Sequence, residues 1–100
     1  MLKASSAAEP DRTCSWTYLL ECADGSLYCG WTTDLKKRVE THNKGKGARY
    51  TRVRIPVRLV YAERFDTPRE AMRREYMIKQ MTRADKLRLI ENAYQDTTRS

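Results

Sequence analysis

Apolar and polar residues alternate in ways that divide this chain into short elements. A leading stretch rich in Ala, Ser and Pro gives way to WTYLLECADGSLYCGWT, two aromatic and apolar runs around Ala23-Asp24-Gly25. Such runs on either side of an Asp-Gly pair predict a β-hairpin. Both runs are apolar on both faces, so the sheet is expected to be covered on both sides. TTDLKKRVETHNKGKG then predicts a helix capped by Thr33 or Asp34, with Leu35 and Val39 inward and Gly45 at its end. GARYTRVRIP reads as a basic connector with a helical turn, and VRLVYAERF as a third strand.

Two capped helices follow. In TPREAMRREYMIKQM, Thr67 caps, Pro68 takes the first helical position and Glu70 completes a capping box. TRADKLRLIENAY repeats the device with Thr82 and Asp85, and its inward stripe is expected at Ala84, Leu87 and Ile90. The predicted fold class is α+β: a small three-stranded, antiparallel-type sheet with helices packed on it, in the order β-β-α-β-α-α. Residues 15–94 form the expected domain, between flexible tails at 1–14 and 95–100.

Two details carry chemistry. Glu75 falls among Ala71, Met72, Ile78 and Met81, on the side of its helix that should face inward. A charge there is costly unless paired or bound, so it is either half of an ion pair or an oxygen ligand in a site. The hairpin admits two registers. A two-residue Asp-Gly turn sends Tyr18 and Tyr28 to opposite faces. A three-residue loop pairs Cys22 with Ser26, Leu20 with Tyr28 and Tyr18 with Gly30, putting both tyrosines on one face and Gly25 in the left-handed position of a bulge. The second register is expected, because Gly30 opposite Tyr18 leaves room above the backbone for a substrate phosphate.

Composition narrows the field. With 100 residues, 40% of them hydrophobic, the chain can fill one modest core. Cys14, Cys22 and Cys29 make an odd, sparse set with neither disulfide-framework nor zinc spacing, and are read as reduced thiols of a cytoplasmic protein. No apolar run reaches membrane-spanning length, and MLKASSAAEPDRT lacks the hydrophobic segment of a signal peptide. The net charge of +7 is concentrated: residues 34–58 carry nine bases and two acids. Such a patch suits a nucleic-acid backbone, against the plainer reading of a solvated basic loop. Arg38 and His42 lie four apart on the first helix. Singly, Arg38 reads as a solvated charge, His42 as a cation at a helix C-terminus and the tyrosines as core residues.

Taken in order, Tyr18, Tyr28, Arg38, His42 and Glu75 resemble the GIY-YIG nuclease family. Its first motif appears as Trp16-Thr17-Tyr18 and its second as Tyr28-Cys29-Gly30. DLKKRVETHNKGKG is similar to the family's arginine-bearing helix, and REAMRREYMIK to the helix with the metal-binding glutamate. The likeness covers about residues 15–92. It is nearest to the short, single-domain bacterial branch (YhbQ-like), itself similar to the catalytic domain of eukaryotic structure-specific endonucleases. Trp16, Thr17 and Cys29 depart from the family pattern. A late site asparagine, common in the family, has only Asn92 as its candidate.

The resemblance implies a metal-dependent DNA endonuclease that hydrolyses phosphodiesters in repair or recombination. Its alternative is a nucleic-acid-binding module of the same fold with little or no catalysis. Glu75 is the implied ligand of one Mg²⁺ or Mn²⁺, since no second carboxylate is placed for a two-metal scheme. Arg38 is the implied clamp on the phosphate oxygens. Tyr18 is the implied general base, its pKa lowered by a cation or by His42, with His42 assisting it or contacting the phosphate; Tyr28 orients water or phosphate, or the two tyrosines exchange roles. Lys44, Lys46, Arg49, Arg52 and Arg54 are expected to hold the backbone beside the cut. Branched, nicked or damaged DNA is the expected partner, RNA a further one, and a protein partner a source of specificity. No membrane is implied.

Overall fold

The structure, a computed structural model, describes residues 14–99. Apart from Cys14, the segment read as an N-terminal tail lies outside the described residues. β1 (Ser15–Glu21), β2 (Leu27–Thr32) and β3 (Arg58–Phe65) form one antiparallel sheet in the order β2-β1-β3. The helices are α1 (Leu35–Asn43), the single turn α2 (Arg49–Arg52), α3 (Pro68–Lys79) and α4 (Arg83–Arg99). The fold class is therefore the expected one, and the connector's helical turn is α2.

The hairpin takes the three-residue loop. Tyr18 pairs with Gly30 and Leu20 with Tyr28, while the Cys22 amide donates to the Ser26 carbonyl over 2.9 Å. Gly25 sits at φ +85°, a backbone conformation that costs glycine little and other residues more. Asp24 accepts from the Ser26 amide and hydroxyl, which locks the turn.

β1 is the central strand, and alternate residues leave it for two cores. Tyr18, Leu20 and Cys22 join Val57 on one face, covered by Leu35 and Val39 of α1. Leu19 joins Cys29 and Ile78 on the other, covered by Met81, Leu89 and Ile90 around α3 and α4. The caps form as expected: Asp34 accepts from the Lys37 amide, Thr67 from Glu70 and Thr82 from Asp85.

Two expected faces need correction. Met72 is 44% exposed whereas Ala71 and Ile78 are fully buried. At about 100° per residue, Met72 sits a full residue step round from Ala71, outside the inward arc. On α4 the inward stripe is Leu89 and Ile90, and Ala84 and Leu87 are exposed. Ile90 is inward as expected, but Leu89 rather than Ala84 and Leu87 joins it against Leu19, Cys29 and Ile78, which turns the inward arc by about one residue step. The α4 backbone also runs to Arg99, through the segment read as a C-terminal tail, with no glycine or proline to stop it.

Candidate active site

A cleft of about 290 Å³ is lined by Tyr18, Tyr28, Gly30, Trp31, Arg38, His42, Gly47, Ala48 and Glu75. The five residues singled out by order along the chain thus share one cavity. Their scaffold follows from the fold. The hairpin register puts both tyrosines on the α1 face, and α1 delivers Arg38 and His42 one turn apart. α3, packed on the opposite face of the sheet, brings Glu75 to the same opening.

His42 sits at the centre of a buried hydrogen-bond chain. Its Nε2 lies 3.1 Å from the Tyr18 hydroxyl and its Nδ1 lies 2.7 Å from Thr51 Oγ1. The Thr51 hydroxyl donates its only proton to the Ala48 carbonyl at 3.0 Å. Thr51 must then accept from Nδ1–H. In the neutral imidazole that leaves Nε2 as acceptor for the Tyr18 O–H. Tyr18, His42 and Thr51 are each about 1% exposed or less.

Two glycines make this packing sterically feasible. A Cβ on Gly30 would meet the Tyr18 hydroxyl at 2.5 Å, and one on Gly47 would collide with the His42 ring. The Tyr28 ring meets His42 edge-on at 5.4 Å.

Burial dominates the protonation states. It pushes the Tyr18 phenol well above its ordinary value, and the nearby Arg38 guanidinium offsets only part of that. Tyr28 is raised for the same reason. Burial and then Arg38 lower His42, so the ring is neutral near pH 7. Arg38 does lower the Tyr18 pKa, as expected of a nearby cation, but desolvation outweighs it.

Glu75 is held differently. Its side chain is 20% exposed, and Oε2 lies 3.2 Å from Lys79 Nζ one turn on. Glu75 is therefore half of an ion pair, as the plainer reading expected, and it also lines the cleft. Its backbone is tethered at two points. Thr17 Oγ1 donates to the Ala71 carbonyl at 2.7 Å, one turn earlier, and Cys29 Sγ approaches the Glu75 carbonyl at 3.8 Å. Thr17 and Cys29, two residues that break the expected motif pattern, thus fix the turn that carries the acid.

Among the described residues, no three of His, Cys, Asp and Glu converge as metal ligands. Glu75 is the one carboxylate lining the cleft. That set suits a hydrated magnesium-like ion, which keeps waters and takes one or two carboxylates plus substrate phosphate. It does not suit zinc. The three cysteines are free thiols.

The basic residues divide. Lys44, Lys46, Arg49 and Arg52 are exposed after α1 and on α2. Arg54 is committed instead: it bonds Asp24 at 3.1 Å, donates to the Tyr50 carbonyl and lies 3.9 Å over the Tyr50 ring. It braces the hairpin loop against α2. Asn92 is exposed on α4 and does not line the cleft. Thr51 escaped the sequence reading because it lies in an aperiodic basic connector. The only signal was its hydroxyl nine residues beyond the single histidine. A larger groove of about 670 Å³ between β3 and α4 shares no lining residue with the cleft.

This fold and these residues define a class of protein. The chain belongs to the GIY-YIG family: the GIY-YIG catalytic domain matches residues 14–88. Among its relatives, a UPF0213 protein of Streptococcus agalactiae is 56% identical over 77 residues, covering 77% of this chain and 88% of that protein. A UPF0213 protein of Bacillus licheniformis is 58% identical over 74 residues, covering 74% and 76%. The solution NMR structure of a UPF0213 protein from Bacillus halodurans matches at 47% identity and TM-score 0.51, covering 78% of this chain and 83% of that one. That of an E. faecalis protein matches at 35% identity and TM-score 0.57, covering 86% and 92%. The chain thus falls with short bacterial members of a nuclease family.

Proposed function

We propose that this protein is a divalent-metal-dependent DNA endonuclease that recognises shape rather than sequence, acting in repair or recombination. The observation that carries this reading is the Tyr18–His42–Thr51 chain opening onto the same cleft as Arg38 and Glu75. Glu75 would hold one Mg²⁺ or Mn²⁺, which when bound supplies Lewis-acid neutralisation of phosphoryl charge and of the leaving oxygen.

The protein's own groups handle the proton and the phosphate. A free phenolate at Tyr18 is disfavoured by burial, so Tyr18 works as a relay. Its oxygen accepts a proton from the attacking water as its own proton passes to His42 Nε2. The resulting imidazolium keeps Nδ1–H on Thr51. The new oxygen–phosphorus bond forms, the opposite phosphorus–oxygen bond breaks, and the leaving oxygen takes a proton from solvent. Arg38 has no ion-pair partner among the described residues, so its guanidinium fork is available to phosphate. Tyr28 orients water or phosphate beside the relay.

Lys44, Lys46, Arg49 and Arg52 would hold the flanking backbone, which positions a duplex without reading bases. Backbone contacts of this kind favour nicked, branched or damaged DNA over a base sequence, and RNA would meet the same charge. A protein partner would supply further specificity. The free thiols support a cytoplasmic setting. Among the described residues, no helix is long and apolar enough to cross a membrane.

A second reading, a binding module with little or no catalysis, draws on the Lys79 contact that occupies Glu75 Oε2. Cleavage separates the two. Nicked, flapped and branched DNA are incubated with Mg²⁺ or Mn²⁺ and wild type, Glu75→Ala or Arg38→Ala. The expected result is cutting by wild type and a loss of at least about a hundredfold in each variant. Wild-type rates equal to those of Glu75→Ala on every substrate would exclude the enzyme.

A further inference from the structure

Beside the cleft lies a second groove, of about 270 Å³, lined by Leu27, Tyr28, Cys29, Tyr50, Lys79 and Lys86. Tyr28 lines both cavities. Lys79 also joins them, since it lines the groove while its Nζ contacts Glu75. The Tyr28 and Tyr50 rings run nearly parallel, 19° apart with centroids at 6.0 Å, and Tyr50 remains 38% exposed. Arg54 backs Tyr50, held by Asp24, so the ring is a fixed surface. The groove therefore has an apolar floor, an aromatic wall and two ammonium groups, supplied by α3 and α4 rather than by the basic segment 34–58.

We infer that this groove is a subsite for a nucleotide adjoining the scissile phosphate, with its base against Tyr50 and Tyr28 and its phosphate between Lys79 and Lys86. The inference rests on the nucleic-acid reading of the cleft and extends it. Three observations choose this occupant. Two cations rim the groove, as an anion requires. The part of the Tyr50 ring left exposed between Tyr28 and Arg54 offers aromatic contact to any base, whatever its identity. The groove is continuous with the catalytic cleft through Tyr28 and Lys79, so a polynucleotide strand leaving one enters the other. A base paired inside a duplex has no free face for this wall. The subsite therefore takes an unpaired nucleotide, which makes a flap, gap or branch the preferred substrate.

The test is metal-free binding by fluorescence anisotropy, so that it does not depend on cleavage. The probe is a fluorescein-labelled flap DNA, either intact or carrying one abasic analogue at each of four positions around the junction. At one position the abasic analogue is expected to weaken wild-type binding about five- to tenfold, the scale of one lost base–aromatic stack. Tyr50→Ala should bind intact and abasic DNA alike, and Tyr50→Phe should restore the difference. Lys86→Ala should lower the log–log salt slope by about 0.7–0.9, one phosphate contact, with Lys86→Arg restoring it. If wild type binds but no abasic position matters, or Lys86→Ala keeps the full slope, the subsite is refuted while the nucleic-acid reading stands. If wild type shows no salt-sensitive DNA binding, both fall.

Discussion

His42 and Glu75 face one cleft from helices on opposite sides of the sheet, and they are held by different means. His42 is buried, neutral and wired at both ring nitrogens into a chain that ends on a backbone carbonyl. Glu75 is partly exposed, and among the described residues its side chain pairs with a lysine from its own helix. Buried hydrogen bonds are costly to break because the freed groups have no water to turn to. An exposed i,i+4 ion pair contributes little and exchanges readily. The contrast separates two tasks. Under the proposed mechanism the α1 wall would keep a fixed proton path, whereas the α3 wall would offer a carboxylate that a cation takes over from Lys79.

The sharpest way to break this contrast is to crowd the wired wall. Gly47→Ala places a methyl on the His42 ring, which is buried and held at both nitrogens. Overpacking of this kind should cost about 1–3 kcal/mol in urea denaturation. Displacing the ring from Tyr18 should also cut cleavage about a hundredfold, as misplacements of an ångström do. Unchanged stability and rate would mean that the wall is soft.

Thr51 tests the wiring without crowding it. Thr51→Val keeps the shape and removes the acceptor for Nδ1–H. The ring then gains by placing its proton on Nε2, where it donates to Tyr18 instead of accepting from it. The expected outcome is a kcat lower by about tenfold, near 1.4 kcal/mol, with KM unchanged. Thr51→Ser should recover the rate. A loss confined to KM, or one that serine does not rescue, would make Thr51 a packing residue only.

How far the sequence foretold these walls depends on how local each signal was. The hairpin itself was legible but two registers stayed open; the observed one was expected for the space above Gly30, which the Tyr18 phenol itself fills. The helix caps were legible because each lies within three residues of its partner. The α4 face was misjudged because Ala84, Leu87, Leu89 and Ile90 offer two overlapping stripes, and only the tertiary partner selects between them. The net rise of the Tyr18 pKa was not legible, because charge neighbours can be counted along a chain, whereas desolvation depends on everything packed around the ring. Thr51 and the pair Lys79 and Lys86 were missed because their meaning lies in cavities shared between elements distant in sequence.

His42 also gives the wired wall a pH signature. Its folded pKa is lowered below the ordinary 6.5, first by burial and then by Arg38. The unfolded chain therefore binds a proton that the folded chain refuses. The stability this contributes is present above pH 6.5 and is lost as pH falls below it toward the folded value. Urea midpoints should drop between about pH 7.5 and about pH 5.5, and the drop should shrink in His42→Gln. A drop of equal size in that variant would assign the effect to other groups.

The smallest expected effect lies on the open wall. Lys79→Ala removes the partner of Glu75 without touching the buried chain. An i,i+4 helix pair of this type contributes about 0.3–0.5 kcal/mol, so the urea midpoint should barely move. The informative readout is the Mg²⁺ concentration that gives half-maximal cleavage. In wild type a cation approaching Glu75 competes with the Lys79 ammonium, 3.2 Å from Oε2. With that competitor gone, the half-maximal concentration should fall by about twofold, the scale of such a pair. Lys79→Arg keeps the charge and should stay near the wild-type value. A requirement that rises in Lys79→Ala would show that the lysine orients the carboxylate for the ion rather than competing with it. The two walls would then be equally preorganised.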